Sequence, residues 1–242
     1  MVASSLGRRS MARVRVGAAI AAGVLLAVAV ASRAADAPKP AATKTTDVKK
    51  AAPAPTNGGK TVPAAADTLR QLQIAADKDT TSFEKNYRYG VGLLDADRAL
   101  EAVHVFQRAT KAKPKEVKGW VNLGAAYDAI GRGPEAREQY RMALSMSPED
   151  EIALCRLGAS LYAGGLRAPA LDTLRLTLKQ HPKSYCAYFT MGVAFADAQI
   201  YQEAIRCWEK VIELAPTSPE AASAKESIAT LKDLLKPATS TP

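Results

Sequence analysis

The chain has 242 residues, of which 48% are hydrophobic and 6% aromatic, a composition that supports one substantial core or two small ones and excludes a collagen-like or wholly disordered protein. The formal net charge is +9, but residues 64–242 carry 23 basic and 22 acidic side chains. Because the positive surplus lies in the first 63 residues, a basic nucleic-acid-binding domain is not expected.

Residues 1–34 have the parts of an export signal. Residues 16–32 form an uncharged run that is rich in alanine, valine and leucine. Small residues that fit a cleavage site lie near the end of this run and directly after it. The run follows the arginines Arg8, Arg9, Arg13 and Arg15. As a helix it would reach roughly 26 Å, close to the hydrocarbon core of about 30 Å, so an uncleaved single-pass anchor is the alternative. In both cases we expect the rest of the chain to lie outside the cytoplasmic membrane. After cleavage it would be periplasmic or secreted; without cleavage it would be anchored to the membrane by residues 16–32.

Residues 35–63 are expected to form a disordered linker. They contain five prolines among alanine, lysine and threonine, and Val48 and Val62 are the only large apolar side chains. Such a segment buries too little apolar surface to offset the entropy of ordering the chain. The linker would hold the following domain away from the N-terminus.

Three columns of identical residues recur every 34 positions in the rest of the chain, which indicates a repeat architecture. The columns are Gly90, Gly124, Gly158 and Gly192; Ala102, Ala136, Ala170 and Ala204; and Pro114, Pro148, Pro182 and Pro216. Large apolar residues recur in phase with them at helical spacing, which predicts two helices in each unit. The glycine and the alanine let the two helices of a hairpin approach closely, and the proline ends the second helix.

This pattern resembles the tetratricopeptide repeat family. The second unit matches the family pattern in full, with Trp120, Leu123, Gly124, Tyr127, Gly131, Ala136, Tyr140, Ala143 and Pro148. The resemblance implies an all-α fold, a right-handed superhelical solenoid of four hairpins. The predicted segments are a pre-repeat helix over 64–82, repeats over 83–116, 117–150, 151–184 and 185–218, a capping helix over 219–236 and a disordered tail over 237–242.

The sequence offers no candidate for catalysis or for binding a cofactor. His104 and His181 have no histidine or cysteine at metal-ligand spacing, and no phosphate-binding loop or nucleophile elbow is present. We therefore expect a protein that is not an enzyme and that binds no metal, cofactor or nucleic acid.

In tetratricopeptide proteins the first helix of each repeat lines a concave groove that holds a segment of another protein. The resemblance implies that the groove residues here are Tyr87, Val91, Leu94, Val121, Asn122, Ala125, Ile152, Cys155, Arg156, Tyr162, Phe189 and Val193. Most are apolar, which favours an apolar or amphipathic partner segment over a highly charged one. The predicted function is a protein-binding adaptor or scaffold of the cell envelope. The alternative is a self-associating protein whose groove is filled by another copy or by its own flanking helix.

The resemblance also places two cysteines on adjacent first helices. Cys155 and Cys186 would face the same concave surface, so a disulfide between them is predicted as one arrangement, and two packed thiols are the other. Cys207 has no evident partner in the sequence.

Overall fold

The computed structural model describes residues 63–236, and every regular element within them is an α-helix. The ten helices are α1 (Pro63–Lys78), α2 (Phe83–Asp95), α3 (Ala99–Ala112), α4 (Val117–Ala129), α5 (Gly133–Met146), α6 (Glu151–Ala163), α7 (Arg167–Gln180), α8 (Tyr185–Asp197), α9 (Tyr201–Leu214) and α10 (Pro219–Leu235). The predicted leader, the linker up to residue 62 and the last six residues lie outside the described part of the chain.

Helices α2 to α9 form four hairpins that stack in chain order. Each first helix packs on its own second helix, and each second helix packs on the first helix of the next hairpin. Helix α1 packs on α2 at one end of the stack, and α10 packs on α9 at the other. The prediction of an all-α solenoid of four hairpins with a C-terminal capping helix is confirmed.

The two helices of each hairpin meet at the glycine column. A Cβ atom built on Gly90 would lie 2.7 Å from the Phe106 ring, and one on Gly124 would lie 2.5 Å from the Tyr140 ring. Phe106 and Tyr140 are completely buried. The glycines are therefore required for close approach of the two helices, because any larger residue would overlap the facing side chain.

A residue with left-handed backbone conformation ends the first helix of each hairpin. In the two middle hairpins it is Gly131 or Gly165, each with φ of 75°. The first and last hairpins have Asp97 (φ 58°) and Gln199 (φ 61°) in the same place. Glycine adopts this conformation at least cost, so the two outer hairpins carry local backbone strain that the inner two do not.

Side-chain caps begin three helices: the first helices of the first and third hairpins and the capping helix. The Ser82 hydroxyl, the Asp150 carboxylate and the Ser218 hydroxyl each accept a hydrogen bond from a backbone N–H in the first turn of the helix that follows. These bonds satisfy donors that have no partner inside the helix.

Candidate protein-binding groove

The first helices of the first three hairpins line a small cleft, with a volume of about 70 Å³. Helix α2 contributes one side chain, α4 contributes four, and α6 with its cap contributes three. The lining residues are Tyr87, Val117, Lys118, Val121, Asn122, Asp150, Ile152 and Arg156. The cleft thus runs across three repeats, on the surface where the sequence predicts the groove.

The floor of the cleft is held by a hydrogen bond between repeats. Asn122 Nδ2 donates to Tyr87 Oη over 3.1 Å and to the Lys118 carbonyl oxygen over 3.1 Å. Both Tyr87 and Asn122 are buried. The amide therefore orients the tyrosine and fixes α2 against α4, and it is already satisfied without a ligand.

The rim of the cleft combines a cation with aromatic rings. Lys118 Nζ lies 4.7 Å from the centroid of the Tyr87 ring and 5.2 Å from that of Phe83. It also lies 3.6 Å from a carboxylate oxygen of Glu84. The rings and the carboxylate hold the ammonium group in place.

Ile152 is the apolar side chain that the cleft exposes most. Its exposed fraction is 43%, whereas Tyr87 and Val121 in the same cleft are exposed by 6% and 5%. Asp150, directly before α6, accepts a hydrogen bond from the Ala153 N–H over 2.8 Å and so caps the helix that carries Ile152. The helix cap thus fixes the position of the one strongly exposed apolar group.

The structure brings together five of the predicted groove residues, namely Tyr87, Val121, Asn122, Ile152 and Arg156. The others lie outside this cleft. Val91, Leu94 and Tyr162 are half-buried, and Ala125, Cys155, Phe189 and Val193 are buried.

Phe189 requires a correction, because the sequence analysis places it in the groove as a contact for a partner. Its exposed fraction is 7%, and it packs in a core cluster with Val193, Trp208 and Ile228. Phe189 therefore belongs to the core.

A buried polar network joins the second and third hairpins. Asp128 accepts hydrogen bonds from Tyr140 Oη and from Ser160 Oγ, each over 2.8 Å. Arg137 donates to the Ser160 carbonyl oxygen over 3.3 Å. Burial raises the pKa of Asp128, and burial followed by the Asp128 charge raises the pKa of Tyr140 well above its usual value. Both hydroxyls donate to the one carboxylate, so the network links helices of the two hairpins.

The third and fourth hairpins are joined by a hydrogen bond and a disulfide. Tyr162 Oη donates to Asp197 over 2.5 Å. Cys155 of α6 and Cys186 of α8 form a disulfide, with their Cα atoms 6.2 Å apart. Cys207 is a half-buried free thiol, and burial raises its pKa to about 11.

Two further properties concern the described residues. Within residues 63–236, no three histidine, cysteine, aspartate or glutamate side chains are grouped so that they could hold a metal ion. None of the helices in this part of the chain is long and apolar enough to cross a membrane.

Solved structures with the same fold include three tetratricopeptide-like chains. TTC0263, a thermophilic protein of Thermus thermophilus, superposes with a TM-score of 0.60 at 16% identity, over 68% of this chain and 91% of that one. A MamA fragment from Desulfovibrio magneticus RS-1 gives 0.54 at 19% identity, over 65% and 89%. YrrB, described as having an unusual peptide-binding site, gives 0.50 at 21% identity, over 67% and 84%.

Family models identify two of the repeats directly. Tetratricopeptide repeat models match residues 153–184, which cover nearly all of the third hairpin, and residues 185–218, which contain the fourth. A search of curated proteins gives no match. From the matched repeats, the 34-residue period and the stack of four hairpins, we conclude that the chain is a tetratricopeptide repeat protein.

Proposed function

We propose that this protein is a non-enzymatic adaptor of the cell envelope that holds an apolar or amphipathic segment of another protein against the cleft between α2, α4 and α6. The observation that carries the proposal is Ile152, which is 43% exposed in a cleft that spans three repeats. A partner that covers this side chain would remove apolar surface from water at a gain of about 25 cal/mol per Å².

The charges around the cleft support a partner segment that is not strongly charged. Lys118 is opposed by Glu84, and Asp150 and Arg156 both line the cleft. With positive and negative groups balanced, neither a polyacidic nor a polybasic peptide would gain much from the electrostatic field of the cleft. The exposed apolar group is then the main source of binding energy.

The class of partner is supported by the fold. Tetratricopeptide solenoids present extended surfaces to other proteins, and YrrB, which shares the fold, is described as having a peptide-binding site. The envelope location rests on the sequence of residues 1–34, with its arginines followed by an apolar run.

Site-specific photo-crosslinking tests the binding surface. A photoreactive amino acid replaces Ile152 in the full chain, expressed in its source cells, and the matched control replaces Leu176. Both side chains are 43% exposed, but Leu176 lies on α7, a second helix. We expect a distinct protein adduct at position 152 and none at 176. Equal adducts at both positions would contradict binding in the cleft. An adduct between two copies of the chain would establish self-association instead.

Cell fractionation with protease protection tests the location. We expect the repeats to be shielded from added protease in intact cells, digested once the outer barrier is opened, and absent from the cytoplasmic fraction. Recovery of the full chain with Met1 in the cytoplasm would contradict the envelope location. The binding surface would still be tested separately by the crosslinking experiment.

A further inference from the structure

The buried apolar side chains of residues 63–236 fall into two main clusters that meet between the third and fourth hairpins. The larger cluster runs from α1 to the start of α7, where it ends with Ala170. The other begins with Phe189 in α8 and continues through α9 and α10. The solenoid therefore has an N-terminal body, α1 to α7, and a C-terminal body, α8 to α10.

Few groups connect the two bodies. A third, smaller cluster joins Leu174 of α7 to Cys155 and Ala187, with half-buried Leu178, Cys186 and Met191 packed against it. Half-buried Tyr162 packs against both main clusters. Tyr162 also donates its hydroxyl hydrogen bond to Asp197 across the junction. The Cys155–Cys186 disulfide is the covalent bond between the bodies within the described residues, apart from the connecting chain itself.

We propose that the Cys155–Cys186 disulfide is a redox-operated latch that holds the C-terminal body in register with the N-terminal body. When it is reduced, the junction depends on the small cluster and on the tyrosine hydrogen bond, and the C-terminal body gains freedom to move about the α7–α8 connection. Regions with few buried apolar contacts are those that open locally at low free energy, and short connections between packed bodies are common hinges. The inference does not depend on the proposed binding function.

The two cysteines are unequally accessible, which sets the direction of the exchange. Cys155 is 1% exposed, whereas Cys186 is half-buried. A thiolate of a dithiol reductant therefore attacks the Cys186 sulfur and expels Cys155 as a thiolate. The second thiolate of the reductant attacks its own sulfur in the mixed disulfide and releases Cys186. The reductant leaves as a cyclic disulfide, and its two protons end on the two cysteine thiols.

Hydrogen exchange of the full chain, oxidised and then reduced with dithiothreitol, tests the latch. Alkylation and mass measurement first establish that both thiols are free. We expect amide exchange at residues 181–190 to accelerate at least about tenfold on reduction, while α4 and α5 are unchanged and the helical circular dichroism is retained. Reoxidation should restore the original rates.

Two variants serve as controls. Cys207→Ser removes the free thiol and keeps the disulfide, so it should respond to reductant as the unmodified chain does. Cys155→Ala with Cys186→Ala should exchange like the reduced chain in either condition; if that variant does not fold, the reduced unmodified chain still decides the question. The proposal is overturned by a disulfide that resists dithiothreitol in the folded chain, by unchanged exchange at 181–190 after full reduction, or by acceleration spread evenly over all hairpins.

Discussion

At the scale of single residues, the repeats are built from matched small and large side chains. Gly124 faces Tyr140 and Gly158 faces Leu174, with the position of a built Cβ 2.5 Å and 2.8 Å from the facing side chain. The pairing works because a glycine has no side chain, so the large side chain that faces it can occupy that space. Interiors packed at crystal-like density have no spare volume for a further methyl group at such a position.

We expect Gly124→Ala to lower the free energy of unfolding by about 1 to 3 kcal/mol, because its methyl group would overlap the fully buried Tyr140 ring. Urea denaturation followed by circular dichroism measures the effect. The control is Gly133→Ala at the start of α5, where the built Cβ meets the flexible end of Arg137 at 3.0 Å. The control should cost clearly less than Gly124→Ala, because the end of an arginine side chain can shift more easily than a fully buried ring. Equal losses in the two variants would contradict the close crossing at Gly124.

A second residue-scale prediction concerns Asp128, whose pKa is raised by burial even though two hydroxyls donate to it. A carboxyl with a higher pKa in the folded chain binds its proton more tightly there than in the unfolded chain. Its contribution to stability is therefore present below the ordinary value near 3.8 and is lost as the pH rises through the folded value.

The asparagine in Asp128→Asn does not titrate, so we expect the stability of the variant relative to the unmodified chain to improve as the pH rises from about 4 to 7. Urea unfolding of both proteins across this range measures the difference. Asp172→Asn, at an exposed position on α7, controls for the loss of one negative charge. A stability difference that stays constant with pH would mean that Asp128 titrates alike in the folded and unfolded chains.

At the scale of helices, the end of the solenoid is closed by a helix that precedes the repeats. Leu69 and Leu72 of α1 reach the surface of α2 at Gly92, where a built Cβ would lie 3.1 Å from a methyl carbon of each leucine. Ala76 of α1 is fully buried. A solenoid needs such a cover because the first repeat has no preceding neighbour to bury its apolar face.

We expect Leu72→Glu to destabilise the chain by roughly 1 to 3 kcal/mol, because it places a carboxylate against the apolar surface of α2. Gln73→Glu is the matched control, since it introduces the same charge at the next, exposed position of α1. Thermal melting of both variants measures the contrast. If Gln73→Glu lowers the melting temperature as much as Leu72→Glu, the effect is one of charge and α1 is not a cap.

At the scale of the whole molecule, the place of a residue within its repeat decides whether a first-helix side chain is open to a partner. Ile152 and Phe189 both lie on first helices, and the family resemblance predicts both in the groove. Ile152 is 43% exposed, while Phe189 is 7% exposed and packs in the C-terminal body. Phe189 is the fifth residue of its repeat, and its counterparts Tyr87, Val121 and Cys155 are exposed by only 6%, 5% and 1%, whereas Ile152 is the second residue of its repeat.

We therefore expect Phe189→Glu to disrupt the C-terminal body, at a cost of about 3 to 5 kcal/mol, because it removes a buried ring and leaves a charge in its place. Ile152→Glu should cost clearly less than Phe189→Glu, since 43% of the Ile152 side chain is already exposed to water. Urea denaturation compares the two. A stable Phe189→Glu chain with full helical content would restore Phe189 as a surface residue.

The architecture could be predicted from the sequence because it depends on features that are local and periodic. Glycine, alanine and proline at a spacing of 34 fix the crossings and ends of the hairpins, and Ser218 with Pro219 begins the capping helix where expected. Position 86 shows that the local pattern holds even where the residue type differs from the family pattern. The tryptophan at the equivalent place in the next repeat, Trp120, donates to the carbonyl of Pro114, six residues earlier, and Asn86 donates likewise to Thr80.

The tertiary structure alone decided the features that depend on residues far apart in the chain. The period places Ile152 and Phe189 at the second and fifth positions of their repeats, and their exposed fractions of 43% and 7% are known only from the packed structure. The sequence left Cys155 and Cys186 as a disulfide or as two thiols, and the structure joins them across the boundary between the two core clusters. The Asp128 network likewise links positions 12 and 32 residues apart. A repeat pattern reports the preferences of each unit, whereas burial and cross-links are set by its neighbours in the stack.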